Sequence, residues 1–163
     1  MSGHDLSHIQ YKSDASHVND HIVVVVSKWN PQITGALYQG ALAVLQQAGV
    51  QPRHIHTYEE PGSFELPMGA QIGLSQVPAA SGALCLGCVI QGETRHFEFI
   101  SQAVAQGVMR VGLDTQKPVI FGVLTPDNMQ QALDRAGGKY GNKGEEAAVA
   151  LLEMIDLMTH KPG

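Results

Sequence analysis

The run Ile22-Val23-Val24-Val25-Val26 constrains this chain more than any other segment. Consecutive β-branched residues are stiff at χ1 and favour an extended strand over a helix. No polar residue alternates with them, so both faces of the strand must be covered, as in a parallel sheet held between helices. The next stretch of chain supplies such a helix. Asn30-Pro31 reads as an N-cap and first helical residue. Ile33, Leu37, Ala41, Val44, Leu45 and Ala48 then recur at helical spacing, and Gly49 is placed to end the helix.

The same alternation continues. A second strand, about Arg53 to Tyr58, leads through Pro61-Gly62-Ser63-Phe64-Glu65 into a helix ending near Gln76. A third, Leu84 to Ile90, runs into Gly92-Glu93-Thr94 and a helix to about Arg110. A fourth, Pro118 to Leu124, precedes Thr125-Pro126-Asp127, read as a further cap, and a glycine-rich loop from Gly137 to Gly144 opens a last helix, about Glu145 to Thr159. Strands alternating with helices predict an α/β fold with right-handed crossovers. The expected architecture is a three-layer αβα sandwich, flavodoxin-like, on a four-stranded parallel sheet. Residues 21–160 form its single domain and residues 1–20 a polar N-terminal arm. Within the arm, Ser7-His8-Ile9-Gln10-Tyr11-Lys12 can form a short strand that pairs with the sheet edge of a neighbouring copy.

Composition narrows the function. A formal net charge of -5 leaves no basic stripe to neutralise a nucleic-acid backbone. No apolar run reaches the ~18 residues that a membrane span needs, and the first twenty or so residues lack a signal-peptide pattern, so a cytoplasmic protein is expected. Cys85 and Cys88 have C-x-x-C spacing but fall inside a strand, where positions three apart point to opposite faces. They read as small core residues rather than a redox pair. His54 and His56 share a strand face, but without a third ligand they make no metal site; no metal is expected.

In an open parallel sheet, ligands bind beyond the carboxyl ends of the strands. Here those ends carry the chain's unusual residues. At Gly92-Glu93-Thr94 a strand hands over to a helix, where free N–H groups and the helix dipole favour a phosphate; the plainer reading is a capped turn. His96, in the first turn of that helix, bears the side chain best able to give and take a proton near neutral pH. Glu98 is near enough in sequence to orient it. Glu65 offers a carboxylate to hydroxyls or ring N–H groups, or else simply complements a helix dipole. Trp29, the only tryptophan, suits either stacking on a flat heterocycle or plugging a helix end. Arg135 and Lys143 flank Gly137-Gly138-Lys139-Tyr140-Gly141-Asn142 as candidate anion partners. That loop does not match the G-x-x-x-x-G-K-[ST] phosphate loop, because Glu145 follows Gly144.

Four segments in order, Pro-Gly-Ser-Phe-Glu-Leu-Pro at 61–67, Val-Ile-Gln-Gly-Glu-Thr-Arg-His-Phe-Glu at 89–98, Phe-Gly-Val-Leu-Thr at 121–125 and Arg-Ala-Gly-Gly-Lys-Tyr-Gly-Asn-Lys-Gly at 135–144, resemble lumazine synthase. The resemblance spans about His21 to Met158. It implies condensation of 5-amino-6-(D-ribitylamino)uracil with 3,4-dihydroxy-2-butanone 4-phosphate, releasing inorganic phosphate and water, with no cofactor. By resemblance Trp29 stacks on the pyrimidine, where the family often has Phe. Ser63, Phe64 and Glu65, with Cys88, Val89 and Ile90, hold the ring and ribityl chain. Glu93 and Thr94 bind the butanone phosphate, and His96 transfers protons. Phe121, Arg135 and Lys143 match residues supplied by an adjacent subunit, with Arg135 at the phosphate. The family forms homopentamers, in some members paired or built into shells, and the turn between Arg135 and Lys143 carries no insertion that would oppose a shell. Gln91 stands where the family commonly has a basic residue. Two other functions fit the same loops less fully: a flavin-binding module without catalysis, and a cage subunit whose catalytic loops are vestigial.

Overall fold

In a computed structural model the described residues are 10–12 and 16–159. Strand β1 (His21–Ser27) is followed by α1 (Pro31–Gln47), β2 (Ile55–Glu60), α2 (Leu66–Gln76), β3 (Ala80–Cys88) and α3 (His96–Thr115). Then come β4 (Val119–Leu124), α4 (Met129–Asp134), a small hairpin of β5 (Ala136–Gly138) and β6 (Gly141–Asn142), and α5 (Lys143–Thr159). The main sheet has four strands in the order β2-β1-β3-β4, every neighbouring pair parallel. The expected α/β sandwich is therefore the one the chain adopts.

Period-two geometry explains how the valine run is used. Ile22 and Val24 of β1 pack with Leu84 and Leu86 against Ala41 and Leu45 of α1 and Leu151, Leu152 and Ile155 of α5. Val23 and Val25 face the other way, with Cys85, against Leu66, Ala70 and Leu74 of α2 and Val104, Val108 and Val111 of α3. Cys88 belongs to a third cluster with Ile33, Leu37, Leu124 and Ala132. The two thiols thus lie in different packing groups. Both are free and buried, and burial pushes Cys85 up to about 12 and Cys88 up to about 11, which leaves neither as a thiolate at neutral pH.

Several local expectations are corrected. Asn30 does hold the N-cap position, with Pro31 first in α1, but its side chain caps nothing, and it sits in left-handed backbone, φ 60° and ψ 57°. Asn128, rather than the Thr125–Asp127 segment, caps α4, its Oδ1 accepting from Gln131 N at 3.0 Å. The glycine-rich loop folds into the β5–β6 hairpin, and α5 begins at Lys143. Helix α3 runs on to Thr115, and β3 is shifted to Ala80–Cys88. Gly49 does end α1, with φ 96°. Of the proposed arm strand, residues 7–9 lie outside the described residues, and residues 10–12 form no strand. Tyr11 is instead tied to the body, its hydroxyl 2.6 Å from His17 Nε2 and donating to Asp156 Oδ2 at 2.6 Å.

His54 lies in a 3-10 turn (Pro52–His54) and not on the strand that carries His56. His21 joins them at the amino end of the sheet. Its ring stacks on His54 with centroids 4.0 Å apart, and its Nδ1 is 3.0 Å from His56 Nε2. Among the described residues no group of three or more His, Cys, Asp or Glu is arranged to hold a metal ion. Burial, His21 and Arg53 hold His54 below the ordinary imidazole value, against a smaller raising effect of the Val18 backbone. Burial, His21 and His54 lower His56 in the same way. Depressed folded-state values mean that the unfolded chain takes up protons first. The stability these imidazoles contribute when neutral is therefore lost as pH falls from about 6.5 downward. The thermal midpoint is expected to hold steady above about pH 7 and to drop below about pH 6. His56→Gln should flatten that drop; an unchanged profile in the variant would remove the cluster as its cause.

Candidate active site

The chain order changes direction between β1 and β3: β2 is laid on one side of β1 and β3 on the other. At such a switch point the connecting loops part and leave a crevice at the carboxyl ends of the strands. A cavity of about 300 Å³ occupies this place, lined by Trp29, Asn30, Gly62–Glu65, Cys88, Val89, Ile90, His96 and Ile100.

Each wall has a local cause. After the extended Gly62, residues Ser63–Glu65 make one 3-10 turn that delivers the chain into α2. Ser63 is 6% exposed, and its Oγ has no hydrogen-bond partner among the described residues. It is admitted by Gly87 of β3, where an added Cβ would stand 2.6 Å from Ser63 Oγ and 2.8 Å from Leu66 Cδ1. Beyond β3 the backbone is held to the β4 side, Val89 N donating to Leu124 O at 2.8 Å and Gln91 N to Pro126 O at 2.9 Å. Ile90 lies between these two ties. Trp29 is 72% exposed and Phe64 55%. Trp29 is therefore no plug; a large apolar ring held in water at a cavity mouth is an open stacking surface.

His96 is the first residue of α3 and shares the cavity wall with Ile100, one turn later. Glu98 does not orient it. Its Oε2 lies 3.2 Å from Arg95 Nη2 in an exposed i,i+3 pair. Glu93 and Thr94 stand in the exposed turn before the helix, outside the cavity lining, and Thr94 Oγ1 accepts from His96 N at 3.4 Å.

The structure thus gathers Trp29, Ser63, Phe64, Glu65, Cys88, Val89, Ile90 and His96 around one space. It does not bring Phe121, Arg135 or Lys143 there. Phe121 packs on the α2/α3 side of the sheet. Arg135 Nη2 and Lys143 Nζ share the Glu146 carboxylate, at 2.6 and 3.2 Å, and Arg135 Nη1 donates to Tyr140 O at 2.5 Å. Two cavity residues carry no site signal in the sequence: Ile100, an apolar helix position like many others, and Asn30, whose reading as a helix cap conceals the direction of its amide.

A family model described as 6,7-dimethyl-8-ribityllumazine synthase matches residues 19–159. A protein of that name from Cytophaga hutchinsonii is 48% identical over 156 residues, covering 95% of this chain and 98% of its own. The like-named protein of Parabacteroides distasonis is 44% identical, covering 94% and 95%, and that of Pediococcus pentosaceus is 46% identical, covering 83% and 86%. A family match across residues 19–159, with relatives 44–48% identical over most of both chains, shows that the chain belongs to the 6,7-dimethyl-8-ribityllumazine synthase family.

Proposed function

We propose that the cavity between the β1 and β3 ends is where this chain carries out its family's reaction, the condensation of ribitylaminouracil with dihydroxybutanone phosphate in riboflavin biosynthesis. The observation that carries the assignment is the company His96 keeps: an imidazole in one cavity with an exposed tryptophan and the buried hydroxyl of Ser63, which has no hydrogen-bond partner among the described residues. A buried hydroxyl without a partner is costly unless a ligand supplies one.

In this reading Trp29 stacks on the pyrimidine. Ser63, Phe64 and Glu65 hold the ring and ribityl chain, with Cys88, Val89 and Ile90 along the strand end. The turn at Glu93 and Thr94, at the positive end of the twenty-residue α3, binds the butanone phosphate through backbone donors. The aromatic amine attacks the ketone and water is lost to give an imine. Phosphate is then eliminated, and the resulting carbonyl closes the second ring with loss of another water. His96 relays protons between these steps, and no cofactor is needed.

Phe121, Arg135 and Lys143 complete the site from an adjacent subunit of a homopentamer. The surface supports an assembly. Met109 and Leu113 on α3 are exposed and line an apolar depression with Ala105, while Phe99 is exposed nearer the start of the same helix. Apolar groups gathered this way on one helix mark an interaction surface. Among the described residues no helix is long and apolar enough to cross a membrane, and we place the protein in the cytoplasm.

Mixing the two substrates with the protein tests the function. The expected result is a lumazine chromophore forming above the uncatalysed rate, with one phosphate released for each. A rate equal to background, with flavin bound tightly, would identify a binding module instead.

A further inference from the structure

We propose that Asn30 is a positioning residue that sets the width of the cavity by clamping the Trp29 loop to the end of β3. It acts in two directions at once. Its backbone carbonyl starts α1, accepting from Ile33 N at 2.9 Å and Thr34 N at 3.0 Å. Its side-chain Nδ2 reaches the other way and donates to Cys88 O at 3.2 Å. The ladder between β1 and β3 stops at Val26↔Leu86. Beyond that point the two strand ends diverge around the crevice, and the Asn30 amide bridges them.

The residue type suits this position. Left-handed backbone, φ 60° and ψ 57°, is routine only for Gly and tolerable for Asn or Asp. Gly would supply the conformation without a donor. Asp would supply the shape but set a carboxylate against a carbonyl oxygen. Asn alone of the three gives both the turn and the bond. The two segments it joins carry Trp29 on one side and Cys88, Val89 and Ile90 on the other, all lining the cavity. Losing the bond frees the stacking ring from the strand end, so a flat heterocycle between them meets a wider and less ordered slot. Nothing about the bond touches the α3 turn that carries His96.

The inference rests on the proposed assignment of this end of the cavity to the pyrimidine. Asn30→Gly and Asn30→Asp are the test, because both accept the left-handed conformation and should fold. Trp29 is the only tryptophan, so quenching of its fluorescence by riboflavin, a flat ribityl heterocycle, reads ring binding without any turnover. The expected result is weaker quenching affinity by about threefold to tenfold in Asn30→Gly, the effect of one hydrogen bond, and a larger loss in Asn30→Asp. KM for ribitylaminouracil should rise in parallel, while kcat and KM for the butanone phosphate stay within about twofold. Wild-type affinity and KM in both variants would overturn the proposal. So would a uniform fall in kcat with both KM values unaltered, which is the signature of lost folded protein. If wild-type protein binds riboflavin but makes no lumazine, the functional reading fails while the fluorescence comparison still decides the clamp.

Discussion

Gly144→Ala is expected to lower the stability of the protein by about 3 kcal/mol, and Gly144→Val to leave little folded protein at all. A Cβ at Gly144 would overlap the Leu37 carbonyl oxygen and lie 2.6 Å from the Leu37 carbonyl carbon and 2.9 Å from its Cα. These are backbone atoms inside α1, so no side chain can swing aside. The approach is locked by Asn142, whose Nδ2 donates to Ala36 O at 3.0 Å while its Oδ1 accepts from Gly144 N at 2.8 Å. Gly40 completes the contact, since a Cβ there would stand 2.6 Å from Asn142 Nδ2. Pushing α5 away loosens Leu151, Leu152 and Ile155 from the face of the sheet they cover. For a domain of this size, about 3 kcal/mol corresponds to a fall of roughly 10 °C in the thermal midpoint. Gly35→Ala, in the same α1 with nothing within 4 Å of the new Cβ, is the control and should be neutral or stabilising. An unshifted midpoint in Gly144→Ala would mean that α1 and α5 are not packed as described.

His96→Ala is expected to cut kcat by about a hundredfold and to leave a measurable reaction. The cavity would still hold the two reactants side by side, and proximity supplies a large share of the acceleration on its own. The loss should fall on kcat and kcat/KM together, since the proton transfers belong to the transition states and not to binding. Single-turnover measurement of phosphate release checks this. Activity at the uncatalysed background would show that positioning contributes little, whereas an unchanged kcat would remove His96 from the proton path.

How much of the fold and site is legible in the sequence depends on how local the cause is. The valine run declares a strand buried on both faces, and the strand–helix alternation places the loops of residues 29–30, 62–65, 88–90 and 96 at one end of the sheet. Their convergence on one cavity follows from that topology. Asn30 reads as a cap because the same side chain serves N-caps and left-handed turns, and only its neighbour across the crevice, Cys88, decides between them. The β5–β6 hairpin is invisible in the sequence because its three- and two-residue strands, mostly glycine, carry no side-chain period. Glu98 pairs with Arg95 along the helix surface, a choice that sequence proximity to His96 does not reveal. The His21–His54–His56 cluster joins residues more than thirty positions apart and depends on the β1–β2 register, Val23 opposite His56. Arg135 and Lys143 stand out in the sequence as two cations flanking one loop, and they do lie near one another. Within one chain both are turned to Glu146, away from the cavity, in keeping with the proposal that they serve a neighbour.

That proposal is tested most directly by mixing two damaged proteins. His96→Ala leaves Arg135 intact and Arg135→Ala leaves the cavity intact, so each alone should make lumazine at a few per cent of the wild-type rate or less. If every site joins the cavity of one subunit to Arg135 of the next in a ring, random co-assembly of equal amounts restores roughly a quarter of the sites. The mixture, unfolded and refolded together, is expected to reach about a quarter of wild-type activity, well above either variant. Activity no greater than the mean of the two variants refolded separately would contradict it.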